Sequence, residues 1–202
     1  GKYGIAVQTA TAEDNVFEQY DHVQILIQGA SGYLVETPDR YELRNVTKAM
    51  VISRIAGSAS DVPVKEKWMS QLTDDDIYTY VTLKDVEFPV RKGAITPINE
   101  GYAIGTGASR ISKYPLLVRD INGDDMYMLT NTNCAYRSDG TRLPYGSGKI
   151  SGVIVHERFS RFEWRDGADP AAMADDPARG FTARHQIRHQ TRRDIWATMP
   201  HS

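Results

Sequence analysis

Short runs of apolar or alternating residues, each ended by turn residues, recur along this chain and constrain its fold more than any other feature. Residues 3–9 have the sequence YGIAVQT, residues 22–29 HVQILIQG and residues 49–55 AMVISRI, and later runs such as DMYMLTN repeat the pattern. An apolar side chain at every second position places one face of a strand against a core. The sequence therefore predicts an all-β protein with few, short helical turns.

The stretch AGSASDVPVKEK, residues 56–67, separates two groups of these runs and has the small and polar composition of a linker. With 202 residues the chain is long enough to bury two small cores. We therefore expect a first β subdomain at residues 1–70 and a second at residues 71–202. One of the helical turns is predicted at Asp74, Asp75 and Asp76, since Thr73 can cap it and the acids suit its first turn.

Asn122 and Gly123 lie between two apolar runs, and both residue types tolerate positive φ, so they predict a tight hairpin turn. The surrounding sequence DINGDD, residues 120–125, begins like a calcium-binding loop. However, Asp125 occupies the position that requires Gly, and Asn131 occupies the position that requires Glu. We therefore predict a turn and no calcium site.

The segment FTARHQIRHQTRRDIW, residues 181–196, has two histidines four residues apart among arginines. As a strand it places Phe181, His185 and Ile187 on one face and Arg184 and Arg188 on the other. As a helix it has no apolar stripe, and no acid accompanies the histidines as a zinc protease would require. We predict a strand with an arginine face that can pair with carboxylate or sulfate groups.

Cofactors and nucleic acids are not expected as ligands. The single cysteine, Cys134, excludes an internal disulfide framework and a cysteine-based zinc site. The net charge of −2 argues against a general affinity for DNA or RNA. Aromatic residues that can either stack on a sugar or pack in the core are not interleaved with a lysine-rich groove; they are Tyr102, Tyr127, Tyr136, Tyr145 and Trp164.

Several segments of the second half resemble, in order and spacing, a family of uncharacterised domains from exported and surface lipoproteins of the Bacteroidetes. They are TYVTLKDVEFPV, the hairpin region YPLLVRDINGDDMYMLTN, GKISGVIVHERF and HQIRHQTRRDI, and GIAVQT in the first half also resembles that family. The resemblance implies two OB-like β-barrel subdomains. The family's leading barrel has further strands before the one that GIAVQT resembles, so we expect the first barrel to be incomplete at its N-terminus or to be completed by another segment.

The resemblance also implies an exported protein of the cell envelope, in the periplasm or on the outer-membrane surface. No apolar run of the sequence is long enough to span a bilayer, so we expect attachment only through a lipidated N-terminus that has been removed. OB-like barrels offer one sheet face to oligosaccharides or oligonucleotides. We therefore expect a non-catalytic module that binds a glycan or another extended polymer.

Of two other classes of function, the first stays open. The chain can instead be a scaffolding module that makes protein contacts within a larger surface lipoprotein. An enzyme is not expected, because the candidate acid–base residues Asp120, Asp139, His156 and Glu157 show no spacing tied to a mechanism. The residues predicted to bind the ligand are Tyr127, Tyr136, Tyr145, Trp164, Arg184 and Arg188.

Overall fold

The computed structural model describes residues 3–28, 34–37, 40–88, 102–104, 111–113, 116–130, 146–156, 181–188 and 194. Strands and single turns of 3-10 helix make up the regular structure that it describes up to residue 188, so the all-β prediction is confirmed. The strands are β1 (Ala6–Thr9), β2 (His22–Ile25), β3 (Leu34–Thr37), β4 (Arg40–Val46), β5 (Val51–Ile55), β6 (Glu66–Lys67), β7 (Tyr80–Glu87), β8 (Tyr102–Ile104), β9 (Ile111–Lys113), β10 (Leu116–Asp120), β11 (Asp125–Leu129), β12 (Gly148–Val155) and β13 (Phe181–Arg188).

The 3-10 turns form where a capping side chain replaces a missing backbone partner. Asp14 accepts hydrogen bonds from the backbone N–H of Thr11 at 3.1 Å and from its hydroxyl at 2.7 Å, and Asp61 accepts the N–H of Ser58 at 2.7 Å. Each carboxylate thus accepts from the residue three positions earlier and satisfies a backbone donor at the start of the turn. The described 3-10 turns are Ala12–Asp14, Lys48–Met50, Ala59–Asp61, Met69–Gln71 and, as predicted, Asp74–Asp76.

The chain divides into two compact units. The first consists of Gly1–Val64 and Asp74–Thr79, and the second of Lys65–Thr73 and Tyr80–Ser202. Along the chain, residues 65–73 belong to the second unit, residues 74–79 return to the first, and the second unit resumes at residue 80. The predicted boundary, after residue 70, lies inside this stretch.

The second unit contains a closed barrel of five strands. The strand order is β10-β11-β13-β12-β7, and β7 also pairs with β10, which closes the sheet. The β11–β13 pair is parallel and the other barrel pairs are antiparallel. The last barrel strand thus lies between the third and the fourth, as in an OB-like Greek-key barrel, and the predicted OB-like barrel is confirmed.

The core of the barrel is built from alternate, inward-pointing side chains of its strands. Met69, from a 3-10 turn, joins them at the interior, and Leu72 and Phe88 pack against the cluster. The buried side chains from the strands are Val81, Leu83, Val86, Val118, Met126, Met128, Ile150, Ile154 and Ile187.

An irregularity in β7 changes which side chains face the core. Asp85 has a positive φ of 47°, and the register of β7 against β12 shifts at this point. Leu83 before it and Val86 after it both point inward, although they are three residues apart. The extra residue of a bulge has this effect, and it turns Glu87 towards the outside, opposite Arg119 of β10.

The described residues of the first unit form two small sheets. One has the order β1-β4-β3, with a parallel β1–β4 pair, and the other is the antiparallel pair β2–β5. The buried apolar side chains among its described residues are Leu43, Val46 and Ile77. A closed barrel in this half of the chain stays a prediction.

Candidate functional site

Two of the six residues predicted to bind a ligand have described side chains. Tyr127 lies in the middle of β11, and Arg188 lies at the end of β13. The others lie outside the described side chains; they are Tyr136, Tyr145, Trp164 and, in β13, Arg184.

Tyr127 and Arg188 lie on the same outer face of the barrel. Tyr127 alternates with the inward-pointing methionines of β11, so its side chain points away from the core. In the parallel β11–β13 pair, Tyr127 is opposite Gln186 and Leu129 is opposite Arg188. The sheet thus brings an aromatic, an amide and a guanidinium side chain to neighbouring positions.

An ion pair that the sequence analysis missed extends this face onto β10. Arg119 is opposite Asp125 in the β10–β11 register, and its Nε and Nη2 donate to the two Asp125 carboxylate oxygens at 2.7 and 2.8 Å. Two parallel hydrogen bonds between a guanidinium and a carboxylate fix both groups. We call Arg119, Asp125, Tyr127, Gln186 and Arg188 the outer-face site.

The ion pair with Asp125 further favours the charged form of Arg119. Its hydrogen bonds to Asp125 are the main reason that its pKa is raised, and the nearby charges of Asp125 and Glu87 raise it further. Its side chain is 45 % exposed, whereas the Asp125 side chain is almost fully buried. The guanidinium is therefore an accessible donor held in place by a shielded acid.

Tyr127 does not offer its ring in the same way, because the residue is only 6 % exposed. Gln186 is buried as well. A ring that stacks on a sugar must expose one face. In the outer-face site Arg119 is exposed and Arg188 is half-buried, whereas Tyr127 packs beneath the surface.

The turn between β10 and β11 sets the register that makes the Arg119–Asp125 pair. The Gly123 N–H donates to the Asp120 carbonyl at 3.0 Å, the Asp120 N–H donates to the Asp124 carbonyl at 2.9 Å, and Gly123 has a φ of +88°. This is a three-residue hairpin loop with a glycine bulge. The predicted hairpin is present, but Asn122 does not have the positive φ expected of it.

The acid–base candidates do not gather in one place in the described structure. One carboxylate oxygen of Asp120 accepts the N–H groups of Asn122 and Asp124 at 2.9 and 3.0 Å and so holds the hairpin loop. His156, at the end of β12, is buried. Asp139 and Glu157 lie outside the described residues. Among the described residues, no three histidine, cysteine, aspartate or glutamate side chains lie close enough together to hold a metal ion.

A different outer face of the barrel, on β6, β7 and β12, carries two further cationic groups. The Lys84 ammonium lies 4.6 Å from the centre of the Trp68 ring, which is a cation–π contact within the chain. Lys149 forms an ion pair with Glu66, and its side chain is 50 % exposed. Lys149 and Arg119 have similarly exposed side chains, and each forms an ion pair with an acid on a neighbouring strand. Lys149 therefore serves as a matched control for the outer-face site.

Comparison of the chain with protein-family models, curated proteins and solved structures gave no significant match. The resemblance to lipoprotein domains of the Bacteroidetes stays a prediction from the sequence. Within the described part of the chain, no helix has the length and apolar character needed to cross a membrane.

Proposed function

We propose that this chain is a non-catalytic binding module that recognises an extended polymer, most directly a glycan, at the outer-face site. OB-like barrels bind oligosaccharides and oligonucleotides on the face of their second and third strands, which correspond here to β10 and β11. The observation that carries the proposal is the half-exposed Arg119 guanidinium, fixed by Asp125 across those two strands.

The guanidinium has donors left for a ligand. Arginine has five N–H donors, and the two bonds to Asp125 use Nε and one N–H of Nη2. The remaining N–H groups suit the oxygen acceptors of a sugar. Like any arginine guanidinium, this donor is charged throughout the physiological pH range.

A neutral glycan fits the surroundings of Arg119 better than a polyanion does. Glu87 lies opposite Arg119 on β7, and Asp124 and Asp125 follow the adjoining turn. Phosphates that approached this site would meet these acids, and the chain has a net charge of −2. We therefore place neutral glycans ahead of nucleic acids and acidic polymers. The placement of the module in the bacterial cell envelope rests on its sequence resemblance to exported lipoprotein domains.

A glycan array tests this function, with single-stranded DNA and heparin included at near-physiological salt. We expect signals on neutral glycans that exceed those on DNA and heparin. A blank array from a folded sample, or signals confined to DNA and heparin, would contradict the proposal.

A second candidate, a scaffolding module that makes protein contacts, is favoured by a different observation. Among the described residues, ten of the eleven large exposed apolar side chains belong to the first unit, and contiguous exposed apolar patches mark interaction surfaces. They are Tyr3, Ile5, Val7, Tyr20, Val23, Leu26, Tyr41, Ile52, Ile55 and Val64. This candidate predicts a blank array together with association through the first unit.

A further inference from the structure

The Arg119 guanidinium belongs to a row of three charged side chains that crosses three strands of the barrel. In the β7–β10 register Arg119 is opposite Glu87, and in the β10–β11 register it is opposite Asp125. Side chains at directly opposite positions of neighbouring strands have Cβ atoms about 5 Å apart. Arg119 therefore has a carboxylate on each side, and we call Glu87, Arg119 and Asp125 the charged row.

The two carboxylates of the charged row relate differently to Arg119. The Asp125 side chain is almost fully buried, and both of its oxygens accept hydrogen bonds from the guanidinium. Glu87 is half-buried on the same outer face, and its negative charge is one of the causes that raise the pKa of Arg119. Asp125 thus orients Arg119 from below, whereas Glu87 is the carboxylate that a ligand on Arg119 meets at the surface.

The bulge at Asp85 brings Glu87 to this position. Regular alternation from the inward-pointing Leu83 would turn Asp85 and Glu87 towards the core. The bulge instead points Val86 inward and Glu87 outward. The Ile121 N–H donates to the Asp85 carbonyl at 3.0 Å, which ties the bulge to the start of the β10–β11 loop. A local feature of the backbone therefore places an acid beside the guanidinium.

The charged row carries more negative than positive charge. Its two carboxylates and one guanidinium leave one net negative charge, and the half-buried Asp124 in the adjoining loop adds to it. A sugar hydroxyl can accept a hydrogen bond from Arg119 without bringing a charge to the row. A uronate or sulfate on the same guanidinium lies beside Glu87, and like charges at this separation repel.

We infer that Glu87 is the specificity-determining residue of the outer-face site, and that it excludes acidic glycans in favour of neutral ones. Arginine by itself favours carboxylate and sulfate groups, because its planar fork matches their oxygens. A like charge placed against the unwanted ligand is a common source of specificity, and Glu87 supplies it here. This inference rests on the proposed function and assigns its ligand preference to one side chain.

Calorimetric titration with a matched pair of sugars tests the inference. The pair is a neutral hexose oligosaccharide that binds on the array and the same oligosaccharide with its terminal hydroxymethyl group oxidised to a carboxylate. We expect Glu87→Gln to strengthen binding of the acidic sugar at least about threefold and to leave the neutral sugar within about twofold, because glutamine keeps the shape and loses the charge. Glu87→Asp, which keeps the charge, should retain the preference of the wild type.

Glu66→Gln is the matched control, since Glu66 is a partly exposed glutamate on β6, on the other outer face. Its affinities for both sugars should equal those of the wild type, and thermal unfolding checks that each variant is folded. Salt separates charge repulsion from a change of shape, because it screens exposed charges. The preference of the wild type for the neutral sugar should shrink as salt rises, and that of Glu87→Gln should change little.

The outcomes distinguish this inference from the proposed function. An unchanged preference in Glu87→Gln, or an equal change in Glu66→Gln, would overturn the inference. If Arg119→Ala still weakened binding of the neutral sugar, the proposed function would stand without it. A folded wild type that binds neither sugar would overturn both.

Discussion

At the scale of single residues, the chemistry of this protein depends on charged groups whose partners are fixed by the backbone. Arg119 is accessible because it lies at the surface, and it is oriented because Asp125 beneath it accepts two hydrogen bonds. Removing Arg119 leaves the Asp125 carboxylate buried without this partner, which is costly in a protein interior. Any loss of binding in an Arg119 variant must therefore be compared with its thermal stability.

Asp14 gives a pH-dependent prediction for the first unit. Hydrogen bonds from the Lys48 N–H, the largest cause, and from the Thr11 hydroxyl lower the pKa of this carboxyl below its usual value of 3.8. Because the folded-state pKa is the lower one, the carboxylate contributes fully above the unfolded-state pKa, and its contribution is lost as pH falls through the folded-state pKa. A carboxyl titration by NMR should show a pKa below 3.8 for Asp14, moved upwards in Thr11→Val. An Asp14 pKa at or above the usual value would contradict the described contacts.

Gly152 on β12 gives a packing prediction for the barrel. A Cβ at this position would lie 2.6 Å from the Arg188 carbonyl oxygen and 2.9 Å from Cγ1 of Ile187. Because the first of these atoms is backbone, Gly152→Ala should lower the free energy of unfolding by about 1–3 kcal/mol in urea denaturation. Ser151→Ala is the control, and it should cost about 1 kcal/mol or less because it removes only the hydroxyl contact with Thr82. If the Gly152→Ala variant were as stable as the wild type, β12 and β13 would be packed less closely than the structure shows.

At the scale of elements, the β10–β11 hairpin decides which side chains form the outer-face site. A two-residue turn at Asn122 and Gly123 would place Arg119 opposite Met126, on the core side. The observed three-residue loop shifts the register by one position and places Arg119 opposite Asp125. This explains why sequence reasoning found the hairpin but missed the ion pair.

The hairpin yields a prediction about Gly123, whose φ is +88° and near which a Cβ would meet no atom within 4 Å. Since the cost is one of backbone conformation alone, Gly123→Ala should destabilise the barrel by about 1 kcal/mol. Gly123→Asn should cost less, because asparagine adopts the left-handed conformation more readily. Equal effects of the two substitutions in thermal unfolding would contradict a left-handed residue at this position.

Other elements show which structural features the local sequence predicts and which it does not. Alternation along β11 correctly predicts a strand, but it left open whether Tyr127 is exposed or packed, and the burial of that ring depends on packing that no local pattern contains. The sequence likewise did not predict the bulge at Asp85, because an aspartate in an alternating run does not indicate a positive φ. The all-β class follows from local periodicity and the barrel was expected from the resemblance, whereas the partners within the site follow from register and long-range contacts.

At the scale of the whole molecule, the buried apolar side chains that the structure describes are distributed unequally between the two units. The barrel has a continuous core contributed by all five of its strands, while the described part of the first unit buries Leu43, Val46 and Ile77. Local stability follows the apolar contacts that an element makes. From the described residues we therefore expect the second unit to be the more rigid of the two and the first to open more easily.

Hydrogen exchange tests this difference. We expect the backbone amides of β7, β11 and β12 to exchange at least about tenfold more slowly than those of β1, β2 and β5, which corresponds to about 1.4 kcal/mol. Mass spectrometry of peptides that cover these strands gives the comparison. Equal protection in both units would contradict the assignment of the main core to the barrel.

The central claim, that the barrel binds a glycan through the outer-face site, is tested most directly by calorimetric titration of the strongest ligand from the array. The titration compares the wild type, Arg119→Ala and Lys149→Ala, each checked for thermal stability. We predict that Arg119→Ala weakens binding at least about tenfold, or about 1.4 kcal/mol, through loss of a charged donor, and that Lys149→Ala stays within about twofold of the wild type. Unchanged binding by a folded Arg119→Ala, or an equal loss in Lys149→Ala, would contradict the claim.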